Sequence, residues 1–184
     1  MFLRAGQLYL RLLDDSDIPR LFRLAQSSNA HLFTTPYWRP WGLDDFAAFV
    51  NDSKSPSTHS LRLGICIGRK ESESLIGVVE LNKLDWIHGN SEVGIVIWPN
   101  NQRKRGYGRI TLTTLSQWAF ETLRLRRLYA KMFESNTSSR KLFESVGFKN
   151  EGVWRQHFFV NGKPEDALLY GLLREEFRPQ IKHD

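Results

Sequence analysis

The chain has 184 residues, 41% of them hydrophobic and 25% charged, which suits one globular domain spanning 1–184. No apolar run approaches the roughly 18–20 residues of a membrane helix, and no basic segment precedes a long apolar block, so the expected compartment is the cytoplasm. The formal charge of +6 is confined: residues 103–131 hold eight basic side chains and one acidic one, leaving the rest at −1, which argues against a general nucleic-acid surface.

In chain order, residues 7–13 read as a strand. Asp14, Asp15, Ser16 and Asp17 before Ile18-Pro19 read as the capped start of a helix ending near residue 27. Residues 34–42, with Pro36, Pro40 and Gly42, form a loop whose Tyr37, Trp38 and Trp41 serve either as a ligand wall or as core cover. A second helix is predicted near residues 44–51, then strands over 61–67 and 75–81 joined as a hairpin. Cys66 is the lone cysteine and sits in an apolar run, so it has no intrachain disulfide and reads as a buried thiol. The turn at 85–90 carries His88. None of the five histidines has metal-ligand or triad spacing, and no metal is expected.

Residues 91–98 alternate Val93, Ile95 and Ile97 against Glu92, Gly94 and Val96, which is a strand, and a helical face begins at residue 107. A strand over 128–133 and a short helix after Asn136 and Ser139 follow, the helix ending at Gly147-Phe148; strands over 153–160 and 167–173 close the chain.

Between the fourth of these strands and its helix lies Arg103-Lys104-Arg105-Gly106-Tyr107-Gly108. Helix-starting N–H groups lack intrahelical acceptors and the helix dipole is positive there, so an anion is favoured. Glycines let the backbone approach it, and the cations add charge. A nucleotide P-loop fails on spacing, because Arg109-Ile110 follow Gly108 where Lys and Ser or Thr are needed. A dinucleotide fingerprint is weak, because position 111 is Thr rather than Gly or Ala.

The remaining pattern, with Arg103, Gly106 and Gly108 in its defining places, resembles the pyrophosphate loop of the GNAT superfamily of N-acetyltransferases. The element order over residues 8–177 is similar too. Leu10-Arg11-Leu12-Leu13 with Asp17, Asn136-x-x-Ser139 with Gly147-Phe148, and Leu169-Tyr170-Gly171 resemble the RimJ/RimL branch. That resemblance implies an α/β (α+β) fold with a mixed, mostly antiparallel sheet of about seven strands, about four helices and splayed fourth and fifth strands. It implies acetyl-CoA as co-substrate, its pyrophosphate held by Arg103, Lys104, Arg105, Gly106, Tyr107 and Gly108. Its pantetheine arm would run beside Val96, Ile97 and Trp98, near a bulge at Gly94, with Asn136 and Phe143 close by.

The implied reaction is direct attack by a primary amine, on a protein N-terminus or a small molecule, with a homodimer left open. An ammonium must lose a proton and the leaving thiolate needs a donor. Glu92, opening its strand, and Glu80, ending the one before, are the carboxylate candidates. Ser139 is the donor candidate, because Phe143 stands where many members carry a Tyr. Tyr37, Trp38, Trp41 and His88 are acceptor candidates. The alternatives are a non-catalytic acyl-CoA sensor, suggested by Phe143, and an RNA-associated domain resting on charge alone.

Overall fold

The computed structural model describes residues 3–26, 41–54, 59–68, 73–160 and 162–178. Strands β1 (Leu3–Ala5), β2 (Leu8–Arg11), β3 (Leu61–Ile67), β4 (Ser74–Asp85), β5 (Asn90–Ile97), β6 (Arg127–Phe133), β7 (Lys149–Val160) and β8 (Lys163–Leu173) form one sheet, ordered β1-β2-β3-β4-β5-β6-β8-β7. Among the described residues, helices α1 (Ile18–Gln26), α2 (Leu43–Lys54), α3 (Tyr107–Glu121) and α4 (Thr137–Val146) accompany it. Among the described residues only β5 and β6 pair in parallel.

The strand beyond the seven expected is β1, which Gly6, at a left-handed φ of 61°, folds back so that Leu3 faces Leu10. β4 also outruns its expected end, continuing through a register irregularity between Asn82 and Asp85, with Lys83 at φ 50°. Glu80 is therefore a mid-strand residue rather than a terminal one.

Alternation along the strands divides the sheet into two faces. On one, Leu63, Ile65, Val79, Val93, Leu128 and Ala130 bury themselves against Leu112, Leu115 and Phe120 of α3 and Phe143 of α4. On the other, Leu21 of α1 and Phe46 and Val50 of α2 pack over Tyr9, Cys66 and Val78. This second cluster contains no residue of β6, β7 or β8.

Arg11 lies under the second cluster, 8% exposed, and donates to Asp17 at 2.6 and 2.8 Å and to Glu73 at 2.8 and 2.5 Å. A buried guanidinium needs such partners, because losing one leaves an uncompensated charge. Asp17 also accepts from Asp14 N–H at 2.9 Å, completing the predicted helix cap. Cys66 is fully buried, and burial pushes its thiol up to about 12, so it is an inert core residue.

Candidate active site

The parallel pairing of β5 with β6 runs only from Asn90↔Arg127 to Glu92↔Tyr129, and the strands continue to Ile97 and Phe133 with no further pairing. They enclose a wedge. Trp98 N–H donates to Ile76 O on β4 at 3.1 Å, so strand alternation turns the main chain of Val93, Ile95 and Ile97 toward the wedge. Of the three nominated strand positions Ile97 turns its main chain to the wedge, as does Ile95, while the main chains of Val96 and Trp98 face β4. The Trp98 side chain is 6% exposed, within the second core cluster. Gly94 is not a bulge either, since it pairs in register with Glu80; its missing side chain leaves space beside Glu80 and Asn82.

At the open end of β5, Arg103 Nε donates to Ile97 O at 2.9 Å and ties the basic turn to the wedge. Lys104 at φ 58° and Gly106 at φ 83° are both left-handed, which curls the turn into α3. The first helical bond runs from Ile110 N–H to Gly106 O at 3.0 Å, and Gly106 has no side chain to cap Tyr107 or Gly108 N–H ahead of it. Uncapped N–H groups among exposed Arg103, Lys104 and Arg105 are a donor set suited to phosphate oxygens. The glycines have different tasks. A Cβ at Gly106 meets nothing within 4 Å, so its role is torsional, whereas one at Gly108 would lie 3.0 Å from Leu142 Cδ2. The missing side chain of Gly108 permits the close contact of α3 with α4.

Asn136 caps α4, its Oδ1 accepting from Ser139 N–H at 3.1 Å. The cap is thus Asn136, and the half-buried Ser139 contributes only its N–H, so its hydroxyl has no bonded partner among the described residues. Phe143, nominated beside the cofactor, is a core residue of α4. It is 3% exposed and meets Phe148 edge-on at 4.9 Å, because α4 needs an apolar residue there to seat on the sheet.

On the opposite face, Glu80, Asn82, Glu92 and Tyr129 surround the apex of the wedge, as the pairings Asn82↔Glu92 and Glu92↔Tyr129 require. Glu80 accepts from Asn82 Nδ2 at 2.8 Å and from Arg62 Nε at 3.4 Å. Glu92 accepts from Lys83 Nζ at 2.6 Å, and this bond raises the lysine's proton affinity. Glu92 lies inside β5, not at its first residue. Burial and then the Glu92 charge push the Tyr129 phenol up. Tyr129 was not singled out from the sequence, although Arg127, Tyr129, Lys131 and Phe133 alternate with Leu128, Ala130 and Met132 as a two-faced strand should.

His88 stands in the turn beyond the closed end of the β5–β6 pairing, where its carbonyl accepts from Arg126 Nη2 at 2.9 Å, so it is not brought to the wedge. Trp41 packs edge-on against Phe46 at 5.1 Å and Phe49 at 5.8 Å, which makes it core cover. Tyr37 and Trp38 lie outside the described residues. Arg126 and Arg127 are engaged within the chain, the latter with Glu151, so charge alone no longer recommends an RNA partner. Among the described residues no His, Cys, Asp and Glu side chains gather as a metal site, and no helix is long and apolar enough to cross a membrane.

A splayed parallel strand pair beside an uncapped, basic helix start is the arrangement that the GNAT resemblance implies for a transferase using acetyl-CoA. The family model described as an acetyltransferase (GNAT) domain matches residues 7–149, and the chain belongs to that family. It is 27% identical over 174 residues to the spermidine N(1)-acetyltransferase of Vibrio cholerae, covering 94% of this chain and 96% of that protein. It is 30% identical to the putative ribosomal N-acetyltransferase YdaF of Bacillus subtilis, covering 91% and 92%. A crystal structure of the Vibrio cholerae spermidine N-acetyltransferase with CoA and spermine superposes with a TM-score of 0.80 at 25% identity, covering 93% of this chain and 98% of that one. The protein is an N-acetyltransferase that uses acetyl-CoA, and the sensor reading falls.

Proposed function

We propose that this chain acetylates the primary amine of a small molecule lying over Glu80, Glu92 and Tyr129, with the donor held from the opposite side of the wedge. The observation that carries this reading is the stretch of β5 beyond Glu92 whose β6 side is unpaired, tied through Arg103 to the uncapped start of α3. When bound, acetyl-CoA supplies an activated acetyl group. The turn from Arg103 to Gly108 holds its phosphates through main-chain N–H groups and cations. The inward main chain of Ile95 and Ile97 pairs with an extended amide-bearing arm as a sheet edge takes an added strand, and Asn136 borders it.

Glu92 removes the proton that an ammonium must lose, directly or through water, and Glu80 stands one pair along the same face. Ser139 Oγ carries the hydrogen bond that a leaving thiolate needs, in place of the tyrosine that Phe143 replaces. The relative named as a spermidine N(1)-acetyltransferase supports a small-molecule acceptor. The 30% identity to a putative ribosomal N-acetyltransferase favours a second reading, a protein N-terminus, and the RimJ/RimL resemblance belongs with it.

CoA release from acetyl-CoA, measured with a panel of small amines and N-terminal peptides alongside CoA binding, separates the two. Turnover with small amines is the expected result. Turnover with peptides alone moves the acceptor to the second reading, and absence of CoA binding overturns both.

A further inference from the structure

On the acceptor face the β7–β8 ribbon carries a bulge. Trp154 pairs with Ala167 and Phe158 with Glu165, so Arg155, Gln156 and His157 stand opposite Asp166 alone; Gln156 sits at φ 50° and its N–H donates to Asp166 Oδ1 at 2.7 Å. Such an irregularity re-aims side chains. Here it sets His157 beside Trp154 and Phe158, with ring centroids 4.8 and 4.9 Å apart, while Phe158 stacks on Phe133 of β6 at 4.0 Å.

Lys131 of β6 enters this group. Its Nζ lies 5.4 Å from the Trp154 centroid, 5.6 Å from that of Phe158 and 3.1 Å from His157 Nε2. An ammonium has only donors, so His157 Nε2 accepts and the neutral ring's proton is on Nδ1. The three rings orient the cation. Lys131 is two residues past Tyr129 on the same face, about 7 Å from the wedge apex at ordinary strand rise.

The surrounding charges decide what this cation is for. Glu80 is matched by Arg62 at 3.4 Å, Glu92 by Lys83 at 2.6 Å and Glu151 by Arg127 Nη1 at 2.6 Å. Lys131 has no carboxylate partner among the described residues. A multiply charged polyamine would meet carboxylates already paired and a fixed positive charge beside the reacting position. An acceptor with a negative group would meet an oriented, half-buried cation that no carboxylate faces among the described residues.

We infer that the acceptor is an amine bearing a carboxylate or phosphate a few bonds from its nitrogen, and that Lys131, steadied by His157 and Trp154, receives that anion. The inference rests on the acetyltransferase reading above and adds the charge of the substrate. The test is initial-rate kinetics at saturating acetyl-CoA with 4-aminobutanoate, 2-aminoethyl phosphate, butylamine and spermidine, on the wild type, Lys131→Arg and Lys131→Glu, with CoA binding measured separately. The wild type should favour at least one anionic amine over butylamine and spermidine by on the order of 10-fold in kcat/KM; which of the two anions gains names the group. Lys131→Glu should lose that preference mainly through KM and turn toward spermidine at unchanged CoA affinity, and Lys131→Arg should keep it. A wild type that prefers spermidine or butylamine, a preference unchanged in Lys131→Glu, or no turnover of either anionic amine while CoA still binds overturns the inference alone. Loss of CoA binding in the wild type overturns the underlying function.

Discussion

The two sides of the wedge are built differently. The proposed donor side is main chain: the inward groups of Ile95 and Ile97, the left-handed Gly106 and the uncapped N–H groups of Tyr107 and Gly108, all within one stretch of sequence. The proposed acceptor side is side chains from five strands, Arg62, Glu80, Glu92, Tyr129, Lys131 and His157, brought together by sheet register and two irregularities. A backbone site keeps its chemistry while its side chains vary. A side-chain site changes its substrate with one or two substitutions, so one fold serves many acceptors.

Disrupting the donor side should have the largest effect. Gly106→Glu places a negative side chain on a left-handed residue in the phosphate turn and should weaken CoA binding by on the order of 100-fold, read by calorimetry, with unchanged circular dichroism. Ser139→Ala should lower kcat about 100-fold with little change in CoA affinity, seen in single-turnover rates; an unchanged rate removes the serine from catalysis.

Gly108→Ala separates packing from binding. Its methyl must displace Leu142, so thermal unfolding should show a loss of about 1–3 kcal/mol while CoA affinity falls far less than in Gly106→Glu. The smallest effect concerns the ion pair between β6 and β7, Arg127 with Glu151. The hydrogen bond from Arg127 holds the Glu151 carboxyl below its ordinary value, so its contribution is full above the usual carboxylate range and is lost as pH falls through the lowered value. Because the pair is about one-third exposed, Glu151→Gln should flatten the acid limb of stability by less than about 1 kcal/mol.

The same contrast explains what the sequence made legible. Strand alternation, the Asp14–Asp17 cap, the glycine turn and the Asn136-to-Gly147 helix are local patterns, and each has a local structural consequence. The separate tasks of Gly106 and Gly108 were not visible, because the contact with Leu142 depends on how two helices meet. Glu80 was read as a strand end because the irregularity after Asn82, which lets β4 continue, leaves no turn residue in the sequence. His157 drew no attention for a similar reason: its meeting with Lys131, 26 positions away, exists only because β7 bulges.

Amide hydrogen exchange with and without CoA tests the wedge assignment most directly. CoA should slow exchange at Ile95 and Ile97 of β5 and at Tyr107 and Gly108, while leaving the β7–β8 ribbon unchanged. Protection confined to that ribbon, or none at β5 under saturating CoA, would contradict the assignment of the wedge to the donor.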